Sequence, residues 1–109
     1  MAFNNSLAIR VRDHLAKRRN IVEKKMFGGL GFLLNGNMLV GVWKDSLIVR
    51  IGPDSYDAAL QQEFVSEFDI TGRPMKGWIM IALDGIDADS QLDHWIQSSL
   101  NFVTTLPLK

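Results

Sequence analysis

Arg73, Lys76 and Trp78 fall within one short segment, TGRPMKGW, residues 71 to 78. A guanidinium presents a fork to a carboxylate or phosphate, an ammonium a point charge, and an indole a flat apolar wall. With Pro74 stiffening the loop, this segment is the best candidate in the chain for holding a small anionic ligand. The same residues also have a purely structural reading. Pro74 and Gly77 set the loop geometry, Met75 and Trp78 plug the core, and Arg73 pairs with an acid. Two cations are fewer convergent polar groups than a binding site normally offers.

The remaining reactive side chains form no recognisable machinery. His14 and His94 stand on different predicted helices, and neither has a second histidine one helical turn away, so no metal-ligand spacing arises. No serine occupies a nucleophile-elbow motif. The acids Asp84, Asp87, Asp89 and Asp93 lack the ligand ladder and distal glutamate of a calcium loop, and helix capping accounts for them better. The absence of cysteine excludes disulfides, thiolate metal sites and a cysteine nucleophile, and suits a reducing cytoplasm. We therefore expect no catalytic residue, no metal and no cofactor.

Charge is balanced in sum, with 12 basic and 12 acidic residues, but not along the chain. Arg10, Arg12, Lys17, Arg18, Arg19, Lys24 and Lys25 are seven of the 12 cations, whereas Asp54 to Asp93 carries nine acids against Arg73 and Lys76. A basic patch suggests nucleic acid. No helix-turn-helix or other reader motif accompanies it, so a solvated helix face is the simpler reading and useful DNA binding is not expected.

Five glycines punctuate KKMFGGLGFLLNGNMLVGVW, residues 24 to 43. A phosphate-cradling loop would lead into a helix. Here a strand follows, so Gly28, Gly29 and Gly31 read as a bend, a bulge or a close backbone approach.

The elements around these residues follow from periodicity. Asn4, Asn5 or Ser6 caps a first helix whose Leu7, Val11 and Leu15 share a face, running to about Arg19. A short strand around Lys25 to Phe27 precedes Leu30 to Leu34, and Asn35-Gly36 is the sequence of a type I′ hairpin turn. Met38 to Trp43 then pairs back, and a turn at Lys44-Asp45-Ser46 leads to Leu47 to Ile51. Pro53 opens a second helix to about Gln62. A short strand follows within Phe64 to Ile70, then a strand Trp78 to Leu83. Asp87 or Asp89 caps a last helix with Leu92, Trp95, Ile96, Ser99, Val103 and Leu106 on one stripe.

The runs KKMFGGLGFLLNGNMLVGVWKDSLIVRIGPDSYDAAL, FDITGRPMKGWIMI and LDHWIQSSLNFVTTLPLK resemble the N-terminal domain family of TfoX, the competence regulator also called Sxy. Met26-Phe27-Gly28-Gly29 and Arg73-Pro74-Met75-Lys76-Gly77 are the most specific pieces, with Leu106-Pro107 closing the match. The resemblance implies a two-layer α+β fold with an antiparallel sheet, similar to that of secretion chaperones, and no established catalytic activity. It also gives Met26, Phe27, Gly28, Gly29, Gly36, Pro74 and Gly77 a structural role. Competence regulators carry a second, C-terminal domain that these 109 residues lack, so the chain reads as a single-domain, stand-alone relative.

The expected architecture is therefore α-β-β-β-β-α-β-β-α, a two-layer α+β meander with three helices. Read by strict alternation, the central strands are apolar on both faces. Met38, Val40 and Val42 oppose Leu39 and Trp43, while Leu47, Val49 and Ile51 oppose Ile48. Three helices leave part of such a sheet uncovered, and exposed apolar patches mark interfaces. The expectation is a homodimer, or a docking surface for another protein, that buries Leu39, Trp43 and Ile48. Function is expected to be that of a cytoplasmic, non-enzymatic regulatory or adaptor domain that acts by binding protein, linked to transcription or competence regulation. The alternative is an anion-binding module built on Arg73, Lys76 and Trp78.

Overall fold

In the first helix, α1 (Asn5–Leu15), the side chain of Asn4 accepts the amide hydrogen of Leu7 at 3.0 Å, which fixes its start. This computed structural model describes residues 3 to 26, 28 to 69, 72 to 73 and 75 to 107. Phe27 and Pro74 lie outside the described residues. Leu7, Ala8, Val11 and Leu15 are buried along one face of α1. The helix stops at Leu15, one turn before Arg19. Only charged residues follow at helical spacing, so no further turn can be held on the core. Asn20 then takes φ 66°, a left-handed conformation that asparagine tolerates, and redirects the chain.

Six strands follow: β1 (Ile21–Met26), β2 (Gly29–Leu34), β3 (Asn37–Trp43), β4 (Ser46–Arg50), β5 (Val65–Glu67) and β6 (Trp78–Ile81). The helices α2 (Pro53–Leu60) and α3 (Asp89–Val103) complete the chain. The strands form one open sheet in the order β1-β2-β3-β4-β6-β5, with every named neighbour antiparallel. The element order is the expected one, and the fold is α+β. Asn35 and Gly36 take φ 53° and 84°, the paired positive values that a type I′ turn requires. The last strand ends at Ile81, short of Leu83, because residues Leu83–Gly85 close into a 3-10 turn that leaves Leu83 at the surface. Neither Asp87 nor Asp89 caps α3. Ala88 is the N-cap, and Gln91 Oε1 accepts its amide hydrogen at 2.9 Å. Among the described helices, none is long and apolar enough to cross a membrane.

Reading across the register separates the two faces. Phe32, Val40, Val49 and Ile79 form one cross-strand row, and Leu30, Val42, Leu47 and Ile81 the next. Both rows belong to the same buried cluster as Leu7, Val11, Tyr56, Ala59, Leu92, Ile96 and Leu100, so all three helices pack on this face. The opposite face carries no helix among the described residues. Its central row is Lys24, Gly31, Gly41, Ile48, Met80 and Ser66.

Strict alternation fails in β3. A bulge makes Leu33 face Met38 and Phe32 face Val40, leaving Leu39 as the extra residue. Met38 therefore falls on the helix-free side, while Leu39 joins the helix-covered core with no exposed surface. The buried Ser99 hydroxyl donates to Leu39 O at 2.8 Å and ties α3 to the bulge. Ser99→Ala is expected to cost about 1 to 2 kcal/mol, the usual effect of removing a buried hydrogen-bond partner. Urea denaturation measures it.

Candidate functional site

Arg50 ends the β4 run LIVR, directly across from Trp78 at the start of β6. Its guanidinium carbon lies 5.1 Å from the Trp78 ring centroid and 5.7 Å from that of Phe102 in α3. The two rings remove water from the guanidinium, and this burial lowers its pKa below the ordinary arginine value. The Phe68 ring stacks on Trp78 at 6.0 Å, extending the aromatic surface. Lys76 and Gly77 close a cleft of about 80 Å³ around Arg50, Trp78 and Phe102. Gly77 O accepts the amide hydrogens of Ile51 and Gly52 at 2.9 and 3.1 Å, which holds the loop against the start of α2.

The structure thus brings together Lys76 and Trp78, but Arg73 is exposed and does not line this cleft. Arg50 takes the place that the sequence suggested for Arg73. The signal was a single cation at the end of an apolar strand, two residues from Ile48 and on the same face. A volume of 80 Å³ is below the roughly 300 Å³ at which ligand pockets begin, so the cleft fits one acidic side chain rather than a metabolite.

Beyond the cleft, the helix-free face presents Met26, Leu33, Trp43 and Met80 half-buried. The Lys44 ammonium sits 4.7 Å from the Trp43 ring centroid. Gly31 lies beneath two methionines. A Cβ there would collide with Met26 Sδ and stand 3.2 Å from Met38 Sδ. This close approach is what the glycine permits, and no phosphate loop is formed. Of the three residues expected at an interface, Leu39 and Ile48 are fully buried within the chain and only Trp43 reaches the surface. The bulge explains Leu39, and Ile48, between Gly41 and Met80 on the helix-free face, has no exposed surface.

The basic N-terminal quarter divides in two. Arg10 donates to Ile86 O at 2.8 Å, to Asp87 O at 3.1 Å and to Asp89 Oδ1 at 3.2 Å. Arg12 makes a bidentate pair with Glu23 at 2.6 and 2.7 Å. These two arginines fasten α1 to the entry of α3 and to β1, whereas Lys17, Arg18 and Arg19 are exposed. His14 lies 3.6 Å from Asp93, and His94 packs edge-on to Trp95 at 5.0 Å. A further open cleft of about 380 Å³ runs beside His94, Trp95 and Phe64. Among the described residues, no three metal-ligating side chains converge.

A family model described as the TfoX N-terminal domain matches residues 13 to 103. The chain belongs to the TfoX N-terminal domain family. A search of the curated proteins finds no match. In this TfoX-type domain Lys76 and Gly77 of the family segment line the Arg50 cleft, and Met26 covers Gly31.

Hydrogen bonding from Arg12, and then its charge, holds the Glu23 carboxyl below the usual carboxylate range. A depressed folded-state pKa contributes stability that is present above the unfolded pKa and lost as pH falls through the folded one. The acid limb of thermal stability should therefore flatten in Glu23→Gln relative to the parent. A Tm series from neutral pH down through the carboxylate range tests this.

Proposed function

We propose that this TfoX-type domain is a non-enzymatic regulatory or adaptor domain of the cytoplasm that acts by binding an acidic, amphipathic segment of a partner protein on the helix-free face of its sheet. The observation that carries the reading is the composition of that face. Trp43, Trp78 and Met80 are half-buried on it, Lys24 and Lys44 are exposed beside them, and Arg50 and Lys76 stand at its end, where Trp78 meets Phe102 of α3. Half-exposed aromatic and methionine side chains are the groups that interfaces favour. Cations at their edges select a partner of opposite sign. The Arg50 cleft would receive one carboxylate of that segment, while Trp43 would anchor its apolar residues. Family membership supports a regulatory role linked to competence or transcription.

The test compares immobilised parent protein with Trp43→Glu and with Arg50→Glu in native lysate. Retention of the same acidic protein by the parent, reduced at least tenfold by both variants and unaffected by nuclease, is expected. Equal retention by all three proteins would defeat the reading, as would recovery of nucleic acid alone. Circular dichroism checks that both variants are folded.

A further inference from the structure

β1 is an edge strand, and its residues Val22, Glu23, Lys24 and Lys25 are exposed. Such an edge presents unpaired backbone groups that can template another strand. Which groups are unpaired follows from one hydrogen bond. Asn35 N donates to Asn20 O at 3.1 Å, in line with the pairing of Ile21 with Leu34. Residue 20 thus points toward β2, and by the alternation of antiparallel ladders Ile21, Glu23 and Lys25 point their amides and carbonyls outward.

We infer that this edge pairs with the same edge of a second copy, antiparallel about a two-fold axis at Lys24, so that Glu23 of each protomer faces Lys25 of the other. Continuing the sheet with both helical layers on one side requires the axis to pass perpendicular to the sheet, and opposed residues must then share a face. Only a few registers satisfy this with the outward groups paired. Centring the axis on Glu23 sets two carboxylates against each other, and centring it on Lys25 sets two ammonium groups against each other. An axis at Val22 overlaps only half of the strand. The axis at Lys24 alone gives two opposite-charge pairs, and it also brings Val22, which is 59% exposed, against Met26 of the other copy. Cross-strand pairs of both kinds are stabilising.

Four backbone hydrogen bonds follow, two for each Glu23–Lys25 pair. The Arg12 guanidinium already holds both oxygens of Glu23, and a carboxylate has further lone pairs for a lysine, so Arg12, Glu23 and the facing Lys25 form a three-membered ion network. Lys24 meets its own copy on the axis, a like-charge contact that weakens the pairing. A strand of six residues buries less than a standard interface, so the dimer is weak and exchanging.

Sedimentation equilibrium at about 100 µM tests it, a concentration suited to interfaces of this size. The parent protein should dimerise, and Lys25→Glu and Glu23→Lys should each be monomeric because each sets like charges opposite. An equimolar mixture of the two should regain a dimer, since every facing pair is then of opposite sign. Lys24→Ala should tighten the parent dimer several-fold. Lys25→Pro removes only an outward amide hydrogen, leaves the β1–β2 ladder intact, and should be monomeric even if Glu23→Lys fails to fold. Trp43→Glu should remain dimeric, which separates this edge from the helix-free face. A monomeric parent, a dimer that survives Lys25→Glu and Lys25→Pro, or a dimer lost in Trp43→Glu would overturn the inference.

Discussion

Gly52→Ala is expected to cost about 4 kcal/mol, summing a strained backbone and an overpacked contact. Gly52 caps α2 with φ 85° and ψ 161°, a region essentially closed to residues with a Cβ. The new methyl group would also meet the Phe102 ring, with Cε1 at 2.6 Å and Cγ at 2.8 Å. That ring cannot move aside cheaply, because it packs against the core on one side and the Arg50 guanidinium on the other. Gly72→Ala is the control. Gly72 has φ 94° and nothing within 4 Å of the added Cβ, so only the backbone cost of about 1 to 2 kcal/mol should appear. Urea denaturation of both variants separates the two contributions. A loss in Gly52→Ala no larger than in Gly72→Ala would show that Phe102 yields.

The second large effect is expected at Ile48. This residue has no exposed surface although none of the described helices covers its face, and its row neighbours are Gly41 and Met80. Ile48→Asp would bury a carboxylate without a partner, at a cost of about 4 to 5 kcal/mol. A typical domain has about 5 to 15 kcal/mol in total, so the variant should be largely or wholly unfolded near room temperature. Ile48→Val, by contrast, should lose about 1 kcal/mol. If Ile48→Asp kept the parent's Tm, the helix-free face would be open to water at its centre, and the shielding described for it would be wrong.

The fold was legible because its local signals agree. Asn4 caps, Asn35-Gly36 turns, and Pro53 opens a helix where they stand in the sequence. The strand LLNGNML reads as a clean hairpin, yet the bulge at Leu39 is tied to the hydroxyl of Ser99, sixty residues away. No period-two count can show that, and Leu39 was therefore expected on the wrong face. The candidate site was half legible. Lys76 and Trp78 come together as their shared segment suggested, but Arg50 enters from β4 through register pairing with Trp78 and a ring from α3. Arg73 and Arg50 are indistinguishable as residue types; only the tertiary fold decides which lies between Trp78 and Phe102.

The strand order carries a kinetic consequence. β1 to β4 form a meander of sequential hairpins, whose contacts are close in sequence and close quickly. β6 must instead insert between β4 and β5, after α2 and β5 have already emerged from the chain. β5 has no partner until β6 arrives, since its named pairing is with β6 alone. The meander is therefore the natural nucleus. The β5–β6 hairpin is the part of the sheet that closes last. Because Lys76 and Trp78 ride on that hairpin, the cleft around Arg50 is assembled only when β6 docks beside β4, so its occupancy would report completion of the sheet.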